Sequence, residues 1–347
     1  MTHTHDQQEH APGDAGLPAW LERILVCPVC RAKVAREGDD YSCPGCGRRY
    51  PVRYGIPDFR LAPDPYISIE KELEKIDALF SGGEKNFREL LTAYYVLSPE
   101  NPPSLNRHYV DAMAAAVQRG RGILERLSQS VSDAKNEAFL DLGCGTGGML
   151  ASAESFFGRA VGVDVALRWM LIGRQRLREL GVSPAMICAN AESLPFADGA
   201  FAAVGADAVL EHVSDPAKMR DETLRVLAPQ GAFFFTTNNR YSVLPEPHVR
   251  ILGFGLLPRH IMERAAWTFR RTPYKARLLS LRELRKLFRG ITRLSLPDYR
   301  EGELGQHNER MRQLWERFTK FRLVRGALWP VSPQYFVSGR KGGGSAR

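Results

Sequence analysis

Between Ala138 and Gly148 the chain reads AFLDLGCGTGG, an apolar run that ends in four glycines within six positions. The run has the length of a buried strand. Glycines directly behind it let the backbone turn sharply, approach a ligand closely and present amide N–H groups to its polar end. A strand, a glycine turn and a helix in that order point to an α/β fold that binds its ligand at the carboxyl end of the strand. The glycines alone leave the ligand open, because Gly143, Gly145 and Gly148 also satisfy GxGxxG, the dinucleotide fingerprint.

Asp141 lies two residues ahead of the first glycine, where a carboxylate suits a cationic amino acid moiety and repels a pyrophosphate. A second apolar run, Ala160 to Asp164, ends in an acid that can accept both ribose hydroxyls, a role shared by the two cofactor classes. The run CANAESLPFADGAF, Cys188 to Phe201, is followed by VLEHVSDP, Val209 to Pro216. Together these closely resemble the large methyltransferase family that includes the quinone-biosynthesis methyltransferases, over about residues 136 to 240.

The resemblance implies S-adenosylmethionine as cofactor, with Gly143, Gly145 and Gly147 flanking its methionine part, Asp164 on the ribose, and Asn190 with Ala191 at the adenine. Cys144, Val165, Glu192 and Asp207 complete the candidate cofactor set. The family usually has Asp where this chain has Asn190, and an acid where it has Ala202. An amide oxygen can still accept from the adenine amino group.

Further strands are expected at Ala202 to Ala206, Gly231 to Thr237, Ile291 to Leu296 and Gln334 to Gly339, with helices around Lys218 to Leu227 and Leu281 to Phe288. The expected fold class is α/β, a doubly wound seven-stranded methyltransferase sheet with a small N-terminal zinc ribbon and a helical cap. In the family the last strand is antiparallel. Cys144 and Cys188 then belong to the sheet region as inert or cofactor-lining thiols.

Cys27, Cys30, Cys43 and Cys46 form CPVC and CPGC knuckles twelve residues apart, a spacing that lets four thiolates converge on one tetrahedral ion. A redox CxxC needs a thioredoxin-like context, which is missing, and paired disulfides are out of place in a cytosolic chain. With four sulfur ligands no coordination position stays open, so the expected Zn²⁺ is structural. Arg31, Lys33, Arg48 and Arg49 either offset the charge of the thiolates or contact nucleic acid. With YPVRYGIPDF behind the second knuckle, residues 21 to 62 resemble the zinc-ribbon family typified by the activator subunit of tRNA and protein methyltransferases. That resemblance implies a scaffold or docking part.

The 347 residues suffice for two domains. Residues 1–20 read as a disordered tail without the apolar core of a secretory signal, 63–136 as a helical connector or cap, and 137–347 as the catalytic domain. No segment reaches the roughly 20 apolar residues of a membrane span, so a cytoplasmic protein is expected. The net charge of +9 is concentrated: Arg250 to Arg293 holds twelve basic residues against Glu263 and Glu283. Such a surplus attracts an anionic partner or is a solvated Arg-rich surface.

Methyl transfer from a sulfonium mainly requires alignment and exclusion of water. Where the acceptor is a hydroxyl, His248 and His212 are the candidate bases, and His108 reads as structural. The insertion at about 239–280 mixes apolar and basic residues, which fits a bulky acceptor bearing phosphate, a lipid-linked precursor or an unstacked nucleobase, or else plain core packing of a lid. A small or lipid-like anionic metabolite is the favoured acceptor. An RNA base methyltransferase is the second reading, because a zinc ribbon fused to this fold also resembles bacterial enzymes that methylate ribosomal guanine. A non-enzymatic subunit is the third. Peripheral membrane contact and the oligomeric state stay open.

Overall fold

The computed structural model describes residues 16–98, 101–242, 244–297, 313–314, 316–318 and 320–342. Most of the segment read as a disordered tail, residues 1–15, lies outside the described residues. Its last two residues do not belong to a tail: α1 spans Ala19–Ile24, and Trp20 and fully buried Leu21 pack into the main core.

The cysteine-rich unit contains β1 (Ala35–Glu37), β2 (Asp40–Ser42) and β3 (Arg49–Tyr50) in one antiparallel sheet, then the hairpin β4 (Val52–Arg53) and β5 (Ile56–Pro57). Strands of two or three residues cannot bury enough apolar surface to stand alone. The unit instead docks against a distant loop at residues 194–197. Leu25 bridges to Phe196, Val26 N–H donates to Pro195 O at 3.0 Å, and Ala197 N–H donates to Ile24 O at 2.8 Å. Arg31, read from sequence as offsetting thiolate charge or contacting nucleic acid, donates to Leu194 O at 2.8 Å and to Glu222 at 2.7 Å. One continuous apolar core results.

The connector carries α2 (Ile69–Phe80), α3 (Phe87–Val96), α4 (Pro103–Ala114) and α5 (Ala116–Ser128). Asn86 and Glu89 form a reciprocal capping box that starts α3. Apolar spacing at Ile76 and Leu79 turns α2 inward. The stretch before α2 is anchored by a buried ion network. Arg60 pairs with Asp58 at 2.7 Å and Glu72 at 2.6 Å, and Arg168 pairs with Glu72 at 2.7 Å and Asp64 at 2.8 Å.

The α/β unit alternates β6 (Ala138–Leu142), α6 (Leu150–Ala153), β7 (Arg159–Asp164), α7 (Leu167–Glu179), β8 (Ala185–Cys188), β9 (Phe201–Asp207), α8 (Pro216–Val226) and β10 (Leu227–Asn238). After the lid helix α9 (Arg259–Arg270) come α10 (Leu281–Leu287), β11 (Thr292–Ser295) and β12 (Gln334–Arg340). The seven strands lie in the order β11-β12-β10-β9-β6-β7-β8. The central pairs are parallel, and β12 runs antiparallel between β10 and β11. Strand order reverses between β6 and β9, so the carboxyl ends of these two strands open the crevice where such sheets bind ligands. No helix among the described residues is long and apolar enough to cross a membrane.

Candidate active site

The glycine turn follows β6 directly. Gly143 and Cys144 both donate their N–H to Val163 O, at 2.7 and 2.9 Å, which folds the chain over the end of β7. Gly143, Gly145 and Gly147 have φ of 76°, 47° and 72°, a region that side chains disfavour. A Cβ at Gly143 would also stand 2.3 Å from Val209 Cγ2. The turn therefore packs against the loop after β9.

Asp164 fixes the turn from the end of β7: its carboxylate accepts from Gly145 N–H and from Ala166 N–H, each at 2.8 Å. Burial pushes its pKa up to about 6 against the lowering effect of those two donors. Asp141 is 1% exposed, and among the described residues neither carboxylate oxygen meets a side-chain donor, the Leu150 backbone N–H giving only weak relief. Burial, reinforced by the charges of Asp164 and Asp207, raises its pKa well above the ordinary carboxylate range. A buried acid left without a side-chain partner suits a cation brought by a ligand. Asp207 is already engaged, accepting from Thr236 Oγ1 at 2.6 Å and Arg119 Nε at 3.1 Å. Cys144 is buried against Gly162 and burial raises its thiol pKa, so it lines the core side of the turn.

Asn190, expected from sequence at the adenine, is held by the connector. Its amide oxygen accepts from Leu61 N–H at 2.8 Å and Ala62 N–H at 3.2 Å, and its amide nitrogen donates to Ala62 O at 3.1 Å. The oxygen expected to meet adenine thus has both lone pairs spoken for by the connector. The neighbouring Ala191 is half-buried and carries no competing polar side chain. Val165 O accepts from Arg60 at 3.0 Å and from the Cys188 thiol at 3.6 Å. Glu192 accepts from Ser214 N–H at 2.7 Å, bracing the loop that leads into α8 rather than pointing a free carboxylate at a ligand. Asn190→Ala is expected to cost about 1–3 kcal/mol by leaving these backbone groups unpaired, read as a lowered urea midpoint.

The two histidines chosen from sequence come together. His212 Nε2 and His248 Nε2 are 3.1 Å apart. His248 Nδ1 lies 2.5 Å from Glu246 Oε1, and the other oxygen of Glu246 accepts the N–H groups of His248 and Val249, both at 2.7 Å. Tyr109 OH donates to His248 O at 2.7 Å. His108 is exposed, and its ring tilts against that of Tyr109. Sequence reasoning missed Glu246, although an acid two residues before a candidate base, between prolines, was the available signal.

The four cysteines converge as the knuckle spacing predicts. Arg31 N–H closes onto Cys27 O at 2.9 Å and Gly47 N–H onto Cys43 O at 2.8 Å, one turn for each CxxC. The four sulfurs lie within 4.8 Å of one another. Sulfurs on a tetrahedral Zn²⁺ with bonds of about 2.3 Å stand about 3.8 Å apart, so the cluster has the size that ion requires.

Residues 140–235 match the family described as a methyltransferase domain. A ubiquinone biosynthesis O-methyltransferase of Thiobacillus denitrificans is 39% identical over 103 residues, 29% of this chain and 44% of the relative. A demethylmenaquinone methyltransferase of Clavibacter sepedonicus is 33% identical over 123 residues, 35% of this chain and 49% of the relative. An uncharacterised 37.1 kDa transposon protein of Streptomyces fradiae is 33% identical over 126 residues, 35% of this chain and 36% of the relative. The chain thus spans less than half the length of each of these three. The glycine turn and the sheet order agree with the family match, which places residues 140–235 alongside methyltransferase domains.

Proposed function

We propose that this chain is an S-adenosylmethionine-dependent methyltransferase acting on a small or lipid-like metabolite, with a structural Zn²⁺ held by Cys27, Cys30, Cys43 and Cys46. The observation that carries the reading is the buried carboxylate of Asp141 beside the glycine turn, which has no side-chain partner among the described residues. A pyrophosphate cofactor would meet repulsion there, whereas a cationic methionine moiety supplies the missing partner. When bound, S-adenosylmethionine supplies a methyl group already activated as a sulfonium. Asp141 would balance its charge, the turn from Gly143 to Gly147 would admit its chain, Asp164 would accept from the ribose, and the backbone around Ala191 would edge the adenine.

The acceptor side is formed by the segment from Asn239 to Ser280, which has its own apolar core around Phe254, Met262 and Tyr274. Its outer face exposes Leu252, Leu256, Trp267 and Phe269 with Arg264 and Arg271. A greasy surface bordered by cations supports a bulky anionic or lipid-like acceptor, and the quinone-pathway names of the relatives favour the same class. Four thiolates persist best in a reducing compartment, which supports a cytoplasmic location.

Calorimetry on metal-replete protein is expected to show S-adenosylmethionine binding, and metal analysis one zinc per chain. Tight binding of a pyridine dinucleotide instead would sink the cofactor assignment. With methyl-labelled cofactor and fractionated cell extract, label should survive ribonuclease. Its loss after ribonuclease would establish the RNA reading.

A further inference from the structure

We propose that His212 and His248 act as one two-imidazole relay, in which His212 takes the proton of an acceptor hydroxyl and His248 holds it against Glu246. The inference rests on the methyltransferase reading and narrows its substrate class to acceptors methylated on oxygen. A contact of 3.1 Å between two Nε2 atoms leaves room for one proton between them. Glu246 at 2.5 Å fixes a proton on Nδ1 of His248, so in the empty pair His248 Nε2 is an acceptor and His212 Nε2 carries the shared hydrogen. His212 Nδ1 is then a lone pair, and it makes no hydrogen bond among the described residues. The His212 amide bonds Val209 O at 2.8 Å, and Val209 is the residue packed on Gly143, so the loop that carries His212 adjoins the glycine turn.

The step balances in protons alone. The acceptor O–H bond breaks and its proton joins Nδ1 of His212. The Nε2 hydrogen of His212 passes to Nε2 of His248, and the resulting imidazolium is neutralised by the Glu246 carboxylate. The acceptor oxygen keeps the electron pair and becomes the nucleophile. His212 is the catalytic residue of the pair, while His248 and Glu246 are positioning residues that receive the charge.

The surroundings favour this distribution. Burial and the neighbouring His248 push the His212 imidazolium down to about 3. For His248, burial also lowers the pKa, but Glu246 overcomes it and the net shift is upward. The other ionisable groups around the pair are Glu211 at the strand end, Tyr274 and Arg250 and Arg270 in the lid, and Tyr66, His108 and Tyr109 in the connector. Glu211 is satisfied by Thr237 at 3.0 Å and Asn238 at 2.6 Å, and Tyr274 OH donates to Glu246 at 3.3 Å. Glu246 is therefore the anion hydrogen-bonded to the pair, and the charge of Glu211 adds to its pull on His248. The pair is loaded below its midpoint and empty above it, so transfer should rise with pH through that midpoint.

Nitrogen NMR of the imidazole rings in the full chain tests the relay without any acceptor. Both rings should report a single shared protonation with a midpoint above that of free imidazole, and Glu246→Gln should lower it by at least one pH unit. Two independent titrations in the wild-type chain, or a midpoint unmoved in the variant, would overturn the relay. In the labelling experiment the methyl group should be recovered on oxygen. Label on carbon or nitrogen would overturn the relay as acceptor base while leaving the methyltransferase reading intact. Absent cofactor binding in calorimetry would instead remove that reading and with it the assigned use of the pair.

Discussion

Serine at Cys43, or removal of metal with a chelator, should unfold the N-terminal unit, lower the melting temperature by more than about 10 °C and take zinc from one per chain to none. Cys43 is fully buried, and the strands it ties together are only two or three residues long. Structural zinc sites of this kind contribute about 10–16 kcal/mol to folding, far more than such strands recover by themselves. The damage does not stop at the ribbon. Losing it uncovers Leu21, Leu25 and Phe196, which form one core with the sheet. It also frees the strap from Asp58 to Ala62, whose backbone pairs with Cys188 O at 2.7 Å and with Asn190. Cofactor affinity should therefore fall together with stability. A Cys43→Ser chain that melts at the wild-type temperature and binds cofactor normally would mean that the cluster has no metal-dependent role.

The strap also shows where a sequence stops being readable. The glycine turn, the acids at Asp141 and Asp164 and the paired knuckles were legible because each is a local pattern whose spacing forces its geometry. Strand ends were less so. β10 begins at Leu227 rather than Gly231, because a register shift between Leu227 and Ala232, with Gln230 at positive φ, lets the chain rejoin β9 earlier than alternation suggests. The engagement of Asn190 was hidden for a different reason. Its partners lie 129 and 128 residues away, and no local pattern marks an amide as already engaged.

The basic surplus between Arg250 and Arg293 divides in the same way. Charge counting finds the excess, but part of it is internal scaffolding: Arg259 pairs with Glu283 at 2.8 Å, Arg270 donates to Val249 O at 2.8 Å, and Lys275 to Pro65 O at 2.6 Å. His212 and His248 were each legible as candidates, whereas their pairing depends on the lid folding back over β9. The sequence named the chemistry-bearing residues, and the tertiary fold decided which of them remain available.

Asp141→Asn should stabilise the protein without ligand while weakening S-adenosylmethionine about 10- to 100-fold. The carboxylate is buried, without a side-chain partner among the described residues and raised in pKa, so its ionised form opposes folding. An unfolded aspartate ionises near pH 4, so the wild-type chain loses stability as pH rises from about 4 through the raised folded value. Asparagine removes that dependence, and at neutral pH the gain should be about 1–3 kcal/mol, with each kcal/mol raising the melting temperature by about 2–4 °C. The cofactor's cation would then lose its counter-charge, which accounts for the weaker binding. Asp164→Ala should behave in the opposite sense for stability, because it strips the Gly145 and Ala166 N–H groups of their acceptor. Melting curves of the three proteins across pH, with calorimetric titration of the cofactor, separate the two acids. If Asp141→Asn lowered stability and left affinity unchanged, the acid would be a structural element, and the charge argument for a sulfonium cofactor would lose its footing.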